Sequence, residues 1–172
     1  MNDNIFSVDA WAPGINYYKH KIVSNNNLYY YSTADYTSSS SITTDINNGA
    51  LLGYINDRGV NKPFFGWRPA YRFTNKNTPR VKKIQFGDGY FQTLPDGINN
   101  LLLEYSFTFE GDLHYITAIL HFLSVRNGTE SFCFVPPAPR GNLARFICSD
   151  WTDVQAFYNN YSVECSFKQS PT

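Results

Sequence analysis

Residues 101–128 read LLLEYSFTFEGDLHYITAILHFLSVRNG, and a change of period inside that stretch decides the fold. From Leu101 to Phe109 every second residue is apolar: Leu101, Leu103, Tyr105, Phe107 and Phe109 share one face, which is strand spacing. After Gly111 the spacing becomes helical. Leu113, Ile116, Leu120 and Leu123 fall on one stripe, flanked by Ile119 and Phe122. Asp112 stands where an N-cap belongs, and Asn127-Gly128 is a stop signal. At about 1.5 Å per residue, the helix spans roughly four turns.

Strand signals lie on both sides of this unit. Arg80 to Phe86 alternates at Ile84 and Phe86, Gly87-Asp88-Gly89-Tyr90 is a tight turn, and Phe91 to Thr93 continues as strand. Pro95-Asp96-Gly97 is a second turn. Beyond the helix, Ser131 to Val135 is a strand cut off by Pro136-Pro137, Ala144 to Cys148 is another, and Tyr161 to Lys168 alternates at Val163, Cys165 and Phe167. One helix among many strands predicts a mostly-β, α+β plan.

The first block is smaller and β-rich. Tyr17 to Val23 reads as a strand, Asn25-Asn26-Asn27 as a turn and Leu28 to Tyr31 as its hairpin partner. Ser38 to Ser41 reads as a flexible loop, and 45–62 as a loop with one short element. Tyr71 to Pro79 is a linker or lead-in strand. The spacing therefore divides the chain into a small module, 1–70, and a second domain, 71–172, with no internal repeat.

Composition narrows the function. Fourteen basic residues balance fourteen acidic ones, so net charge is zero, which suits a subunit held in an assembly and argues against nonspecific nucleic-acid binding. Aromatics reach 17% and charged residues only 16%, below the ordinary level of about 25% for charged residues. Tyr, Asn and Ser are the vocabulary of turns and of protein interfaces. Asn2-Asp3-Asn4 carries no leader signal, and no apolar run reaches membrane-span length, so no membrane partner is expected.

Catalysis and cofactors find no footing. Asp88, Asp96, Glu110 and Asp112 sit at turns, strand ends or caps, where acidic residues serve the backbone. His114 and His121, seven apart and so roughly 10 Å along a helix, cannot share a metal; both read as helix-surface residues, and His20 has no ligand spacing either. Cys133, Cys148 and Cys165 fall one per strand without a C-x-x-C pair, as reduced core residues do. Gly87-x-Gly89 lacks the third glycine and lysine of a phosphate loop. No enzyme activity, cofactor or metal is expected.

An ordered series of residues adds a resemblance. Pro79-Arg80-Val81, then Phe86-Gly87-Asp88-Gly89-Tyr90, Gln92 and Gly97-Ile98-Asn99 precede the helix. Phe122-Leu123, Gly128, Phe132-Cys133-Phe134 with Pro136-Pro137, Arg145-Phe146-Ile147-Cys148 and Trp151 follow within and after it. Over about half the chain this order resembles the minor tail protein family of lambda-type long-tailed phages, with Thr93 where the family pattern has Arg. The resemblance implies a tail-tube-like β-sandwich with one flanking helix. It implies six copies in a ring that joins the tail tube to the distal tip complex, in the virion and earlier in the host cytoplasm. The partners so implied are sister copies, the tail tube protein and other tail tip proteins, with DNA only as passing cargo.

The first block is similar to chitinase-type carbohydrate-binding modules in the order Trp11, Tyr17, Val23, Asn27-Leu28-Tyr29-Tyr30 and Trp67, although 32–62 is longer than such modules have. That likeness implies an alternative role in contacting host surface polysaccharide. Trp11, Tyr29, Tyr30, Tyr31 and Trp67 are therefore candidate sugar or subunit contacts, with subunit packing ranked first for the tyrosines and core packing for the tryptophans. Arg80, Lys82 and Lys83 are read as a solvated strand face, or as a contact for an acidic tube surface or passing DNA.

Overall fold

The computed structural model describes residue 6 and residues 8–56, 62–70 and 72–171. The leader reading of Asn2-Asp3-Asn4, residues 57–61 of the loop and Tyr71 of the lead-in segment lie outside the described residues.

The first block opens with β1 (Asp9–Ala10), β2 (Asn16–Tyr17), β3 (Ile22–Asn25) and β4 (Leu28–Ser32). The strand expected from Tyr17 to Val23 is broken in two. His20 turns left-handed (φ 64°) and donates its amide to the Ser32 carbonyl, so the chain reverses there before β3 begins. Asn26 and Asn27 both take positive φ, 50° and 61°, which is the geometry of a two-residue hairpin, and they join β3 to β4.

β5 (Tyr36–Thr37) and α1 (Ile42–Asn47) follow. Between them, the loop expected to be flexible is pinned. Ser38 is buried, accepts the Ile15 amide at 2.9 Å and donates to the Ala12 carbonyl at 2.6 Å. Ser41 occupies the N-cap of α1. The stretch read as loop then supplies three short strands, β6 (Leu51–Gly53), β7 (Ile55–Asn56) and β8 (Lys62–Pro63).

The second block contains β9 (Phe73–Asn77), β10 (Val81–Gln85), β11 (Phe91–Pro95), β12 (Leu103–Gly111), α2 (Leu113–Arg126), β13 (Phe132–Phe134), β14 (Ala144–Phe157) and β15 (Asn160–Gln169). The Asp112 side chain accepts the Tyr115 amide at 2.8 Å, and Asn127 (φ 50°) with Gly128 (φ 68°) ends the helix as a left-handed cap. Strand β14 runs nine residues past the expected end at Cys148, because its polar second half pairs along β15 through bulges after Cys148 and Gln155.

The fold is mostly β with a flanking helix. One sheet has the order β13-β14-β15-β12-β9, the other β1-β3-β4-β6. Helix α2 packs against β12 and β15 of the first, and its Phe122 ring also meets Phe132 of β13 at 5.5 Å. Residues of the first block cover it from another side. The Tyr54 hydroxyl donates to the Ala118 carbonyl at 3.2 Å and shares a hydrogen bond with His121 Nδ1 at 2.9 Å. His121 is therefore only 1% exposed, and the surface role expected for it does not hold. Leu113, expected on the buried stripe, is exposed instead.

Segment 62–67 joins the two sheets. Phe64 donates its amide to Tyr54 at 2.7 Å, and Phe65 donates to Cys133 at 2.8 Å. Phe65 then sits at the centre of the core, its ring 4.9–5.7 Å from those of Trp67, Phe109, Phe122, Phe132, Phe134 and Phe167. One cluster of buried side chains runs from Ile22, Tyr31 and Tyr54 in the first block to Phe167 in the second.

Burial holds the Tyr54 phenol well above its usual range, so it remains a neutral hydroxyl. Replacing it tests the polar join between the layers without changing the packing. Tyr54→Phe lowers stability by about 1–3 kcal/mol, because the buried Ala118 carbonyl and the His121 Nδ1 both lose this hydroxyl. Urea denaturation should show a lower midpoint at unchanged slope.

Candidate functional site

Strands β10 and β11 form a hairpin that pairs only with itself, from Val81↔Pro95 to Gln85↔Phe91. Nearly all of its residues are exposed. Its tip is the Phe86-Gly87-Asp88-Gly89-Tyr90 motif. Asp88 (φ 64°) and Gly89 (φ 79°) take the left-handed backbone there, which closes the tight turn expected at this motif. The Phe86 amide closes the loop on the Tyr90 carbonyl at 2.7 Å. Gln92 stands opposite Ile84 in the ladder.

This arm is apolar without being buried. Val81, Phe86, Phe91 and Leu94 are exposed, Tyr90 is 77% exposed and Ile98, beyond its base, is 100% exposed. Exposed apolar residues gathered on one element mark a candidate interaction surface. Lys83 lies 5.5 Å from the Phe91 ring centroid, which places a cation beside the aromatics. The base of the arm is fixed to the body by the Arg80 amide, which donates to Asn100 at 2.7 Å.

A second bare region lies at the far end of the five-stranded sheet. β13 pairs with residues 144–146 of β14 alone, so the outer edge of β14 beyond Phe146 has no strand beside it among the described residues. Val154, Phe157 and Tyr158 are exposed there. Unpaired edges of this kind invite pairing with another chain. The outer face of the sheet carries Thr74, Ser106, Thr108, Glu110, Glu164 and Ser166 and borders a depression of about 520 Å³. Sequence reading did not single out this polar face. Its signal was present in the alternation that places Ser106 and Thr108 between Tyr105, Phe107 and Phe109.

The candidate contacts of the first block divide into two groups. Tyr31 and Trp67 are buried and stack on each other at 4.7 Å, so both belong to the core. Tyr29 is half-buried with its ring 4.7 Å from His121. Tyr30 points to the opposite face, where it packs with Trp11 against Tyr17, Val23 and Leu51. Trp11 donates its indole N–H to Asp45 at 3.1 Å, and the buried Asp45 carboxylate also accepts the Ser39 amide at 3.0 Å. The indole edge is thus committed to holding α1. The structure does not bring these five residues together as one platform.

The groups considered for chemistry are placed structurally. Asp112 caps α2, Asp88 tips the arm, and Asp96 lies at the base of the arm. His20 meets the Tyr115 ring at 4.9 Å and His114 the Tyr18 ring at 6.3 Å, so both histidines tie the first block to the helix. Cys133, Cys148 and Cys165 are buried and free. A hydrogen bond with Cys148, and then burial, push the Cys165 thiol up; burial does the same to Cys133. Among the described residues, no cluster of three His, Cys, Asp or Glu side chains is arranged to hold a metal ion. No helix among them is long and apolar enough to cross a membrane.

Comparison with known proteins agrees with the geometry of the second block. A family model described as phage minor tail protein matches residues 63–170, beginning where segment 62–67 joins the sheets. The chain is 32% identical over 88 residues to Tail tip protein M of Escherichia phage lambda, covering 51% of this chain and 80% of that protein. It is 42% identical over 75 residues to Tail tip protein M of Escherichia phage N15, covering 42% of this chain and 64% of that protein. Nothing in these comparisons supports a carbohydrate-binding module.

Two outcomes follow from the placement of these side chains. Replacing Phe86, Tyr90 and Phe91 with Ser should move the unfolding free energy by no more than about 0.5 kcal/mol, as surface changes do, when measured by urea denaturation. The three thiols should resist a soluble thiol reagent at pH 8 and react at once in guanidinium, as counted by absorbance.

Proposed function

The chain belongs to the phage minor tail protein family, and from that premise we propose that it is a ring subunit of the tail tip, in six copies, joining the tail tube to the distal tip complex. Its partners in this reading are sister copies, the tail tube protein and other tail tip proteins. It enters the virion after assembly in the host cytoplasm, and DNA passes it only as cargo. Its role is structural and not catalytic.

The observation that carries this reading is the exposed, self-paired arm. A five-pair hairpin with Phe86, Tyr90, Phe91 and Leu94 in solvent gains nothing for its own fold. It gains where a neighbouring chain covers it. Zero net charge points the same way, because a free neutral protein has little protection against association. The names of the two relatives place those proteins at a tail tip, and the family match over residues 63–170 spans this arm and the helix-backed sheet.

The test is incorporation. Tails made with the wild-type chain should contain it at their distal end, by immunogold labelling and mass spectrometry. The Phe86, Tyr90 and Phe91 to Ser variant should remain soluble and folded yet be missing from purified tails. Wild-type chain absent from tails overturns the reading.

A further inference from the structure

The sheet carries opposite charge at its two ends. The arm at one end bears Arg80 at its base and Lys82 and Lys83 along β10, with Asp88 at its tip and Asp96 at its base as its acids, so its strands themselves carry positive charge only. At the other end Glu110, Asp150 and Glu164 line the depression on the outer face, with Arg72 as the one cation among its lining residues. The register fixes this separation. Asn77, which leads into the arm, pairs with Leu103, whereas Glu110 lies seven residues further along the same strand. At about 3.3 Å per residue that is roughly 23 Å. Among the described residues, none of Lys82, Lys83, Glu110, Asp150 and Glu164 has an ion-pair partner.

Beside the acidic depression runs an apolar groove lined by Pro69, Ala70, Phe73, Phe134, Pro136 and Pro137. Ala70 and Phe73 border both. One continuous surface therefore offers acid next to apolar, and the arm offers base next to aromatic. The arm does not satisfy that surface within its own chain, because its residues are exposed on both faces.

We infer that the β10–β11 arm of one copy docks on the acidic depression and adjoining apolar groove of a second copy. Lys82 and Lys83 meet Glu110, Asp150 and Glu164, while Phe86, Tyr90 and Phe91 enter the groove. This inference rests on the ring-subunit reading and names the contact that reading requires. The two surfaces differ, so the contact is head-to-tail, and repeating it closes a ring when the rotation between copies permits. The charged part is exposed to solvent, where ions screen over about 8 Å at physiological salt, so association should weaken as salt rises.

A carbodiimide cross-linker, which joins a lysine directly to a touching carboxylate, tests the contact in assembled tails. The expected result is a ladder of covalently joined chains on a denaturing gel. Peptide mass spectrometry should find Lys82 or Lys83 joined to Glu110, Asp150 or Glu164. Chain present in tails but linked only elsewhere, or not at all, overturns the arm contact and leaves the tail-tip reading standing. Chain absent from tails overturns both. Charge exchange is the second measurement. Lys82→Glu with Lys83→Glu should abolish incorporation, and adding Glu110→Lys with Glu164→Lys to the same chain should restore it. Failure to restore, with soluble folded protein in hand, also overturns the contact.

Discussion

Two backbone hydrogen bonds, from Phe64 to Tyr54 and from Phe65 to Cys133, hold the two sheets together along one side of the helix. The rest of the structure depends on that join. It fixes Phe65 at the point where the rings of the five-stranded sheet and of α2 converge. A fully buried phenylalanine contributes about 1.5–3 kcal/mol through removal from water alone. Here the same residue also sets the distance between the layers. With the join in place, the first block has only one way to lie on α2, and His20, Tyr29 and Tyr54 reach the helix as a consequence.

This arrangement divides the molecule into a part that holds itself and a part that does not. Everything around α2 is closed: Phe107, Phe109, Phe122, Phe146 and Phe167 are almost wholly removed from water. The arm and the distal half of β14 are the reverse, paired in their backbones and bare in their side chains. Stability therefore resides in the closed region. Aromatic residues at the arm tip can be exchanged without cost to the core.

The sequence was legible wherever one face of an element decides its register. The period-2 faces of β12 from Leu103 on and of β15, and both ends of α2, marked by Asp112 and Asn127-Gly128, appear where the spacing puts them, whereas Leu101, expected on the same face, is exposed ahead of the strand. The Asn26-Asn27 turn is legible for a different reason, the tolerance of Asn for positive φ. What could not be read depends on contacts distant in sequence. His121 looks like a polar surface residue until Tyr54, from 67 positions away, covers it. Ser38 looks like loop filler until the backbone of Ala12 and Ile15 surrounds it. Beyond Trp151, β14 has no apolar alternation because neither of its faces meets the core, and only its partner β15 makes it a strand. Tyr31 illustrates the same limit: ranked first as a subunit contact, it stacks on Trp67 in the core, because aromatic type alone does not tell a core stack from a contact surface.

The polar face of the five-stranded sheet connects these points. In a protein that worked alone, an outer face with Thr, Ser and Glu would be ordinary solvated surface, and an exposed apolar hairpin would be an aggregation hazard. The two occur together here, the hairpin beyond the Asn77 end of the five-stranded sheet and the acidic depression toward Glu110. Unlike surfaces favour ordered, directional association over random clumping, because like surfaces repel while unlike ones attract.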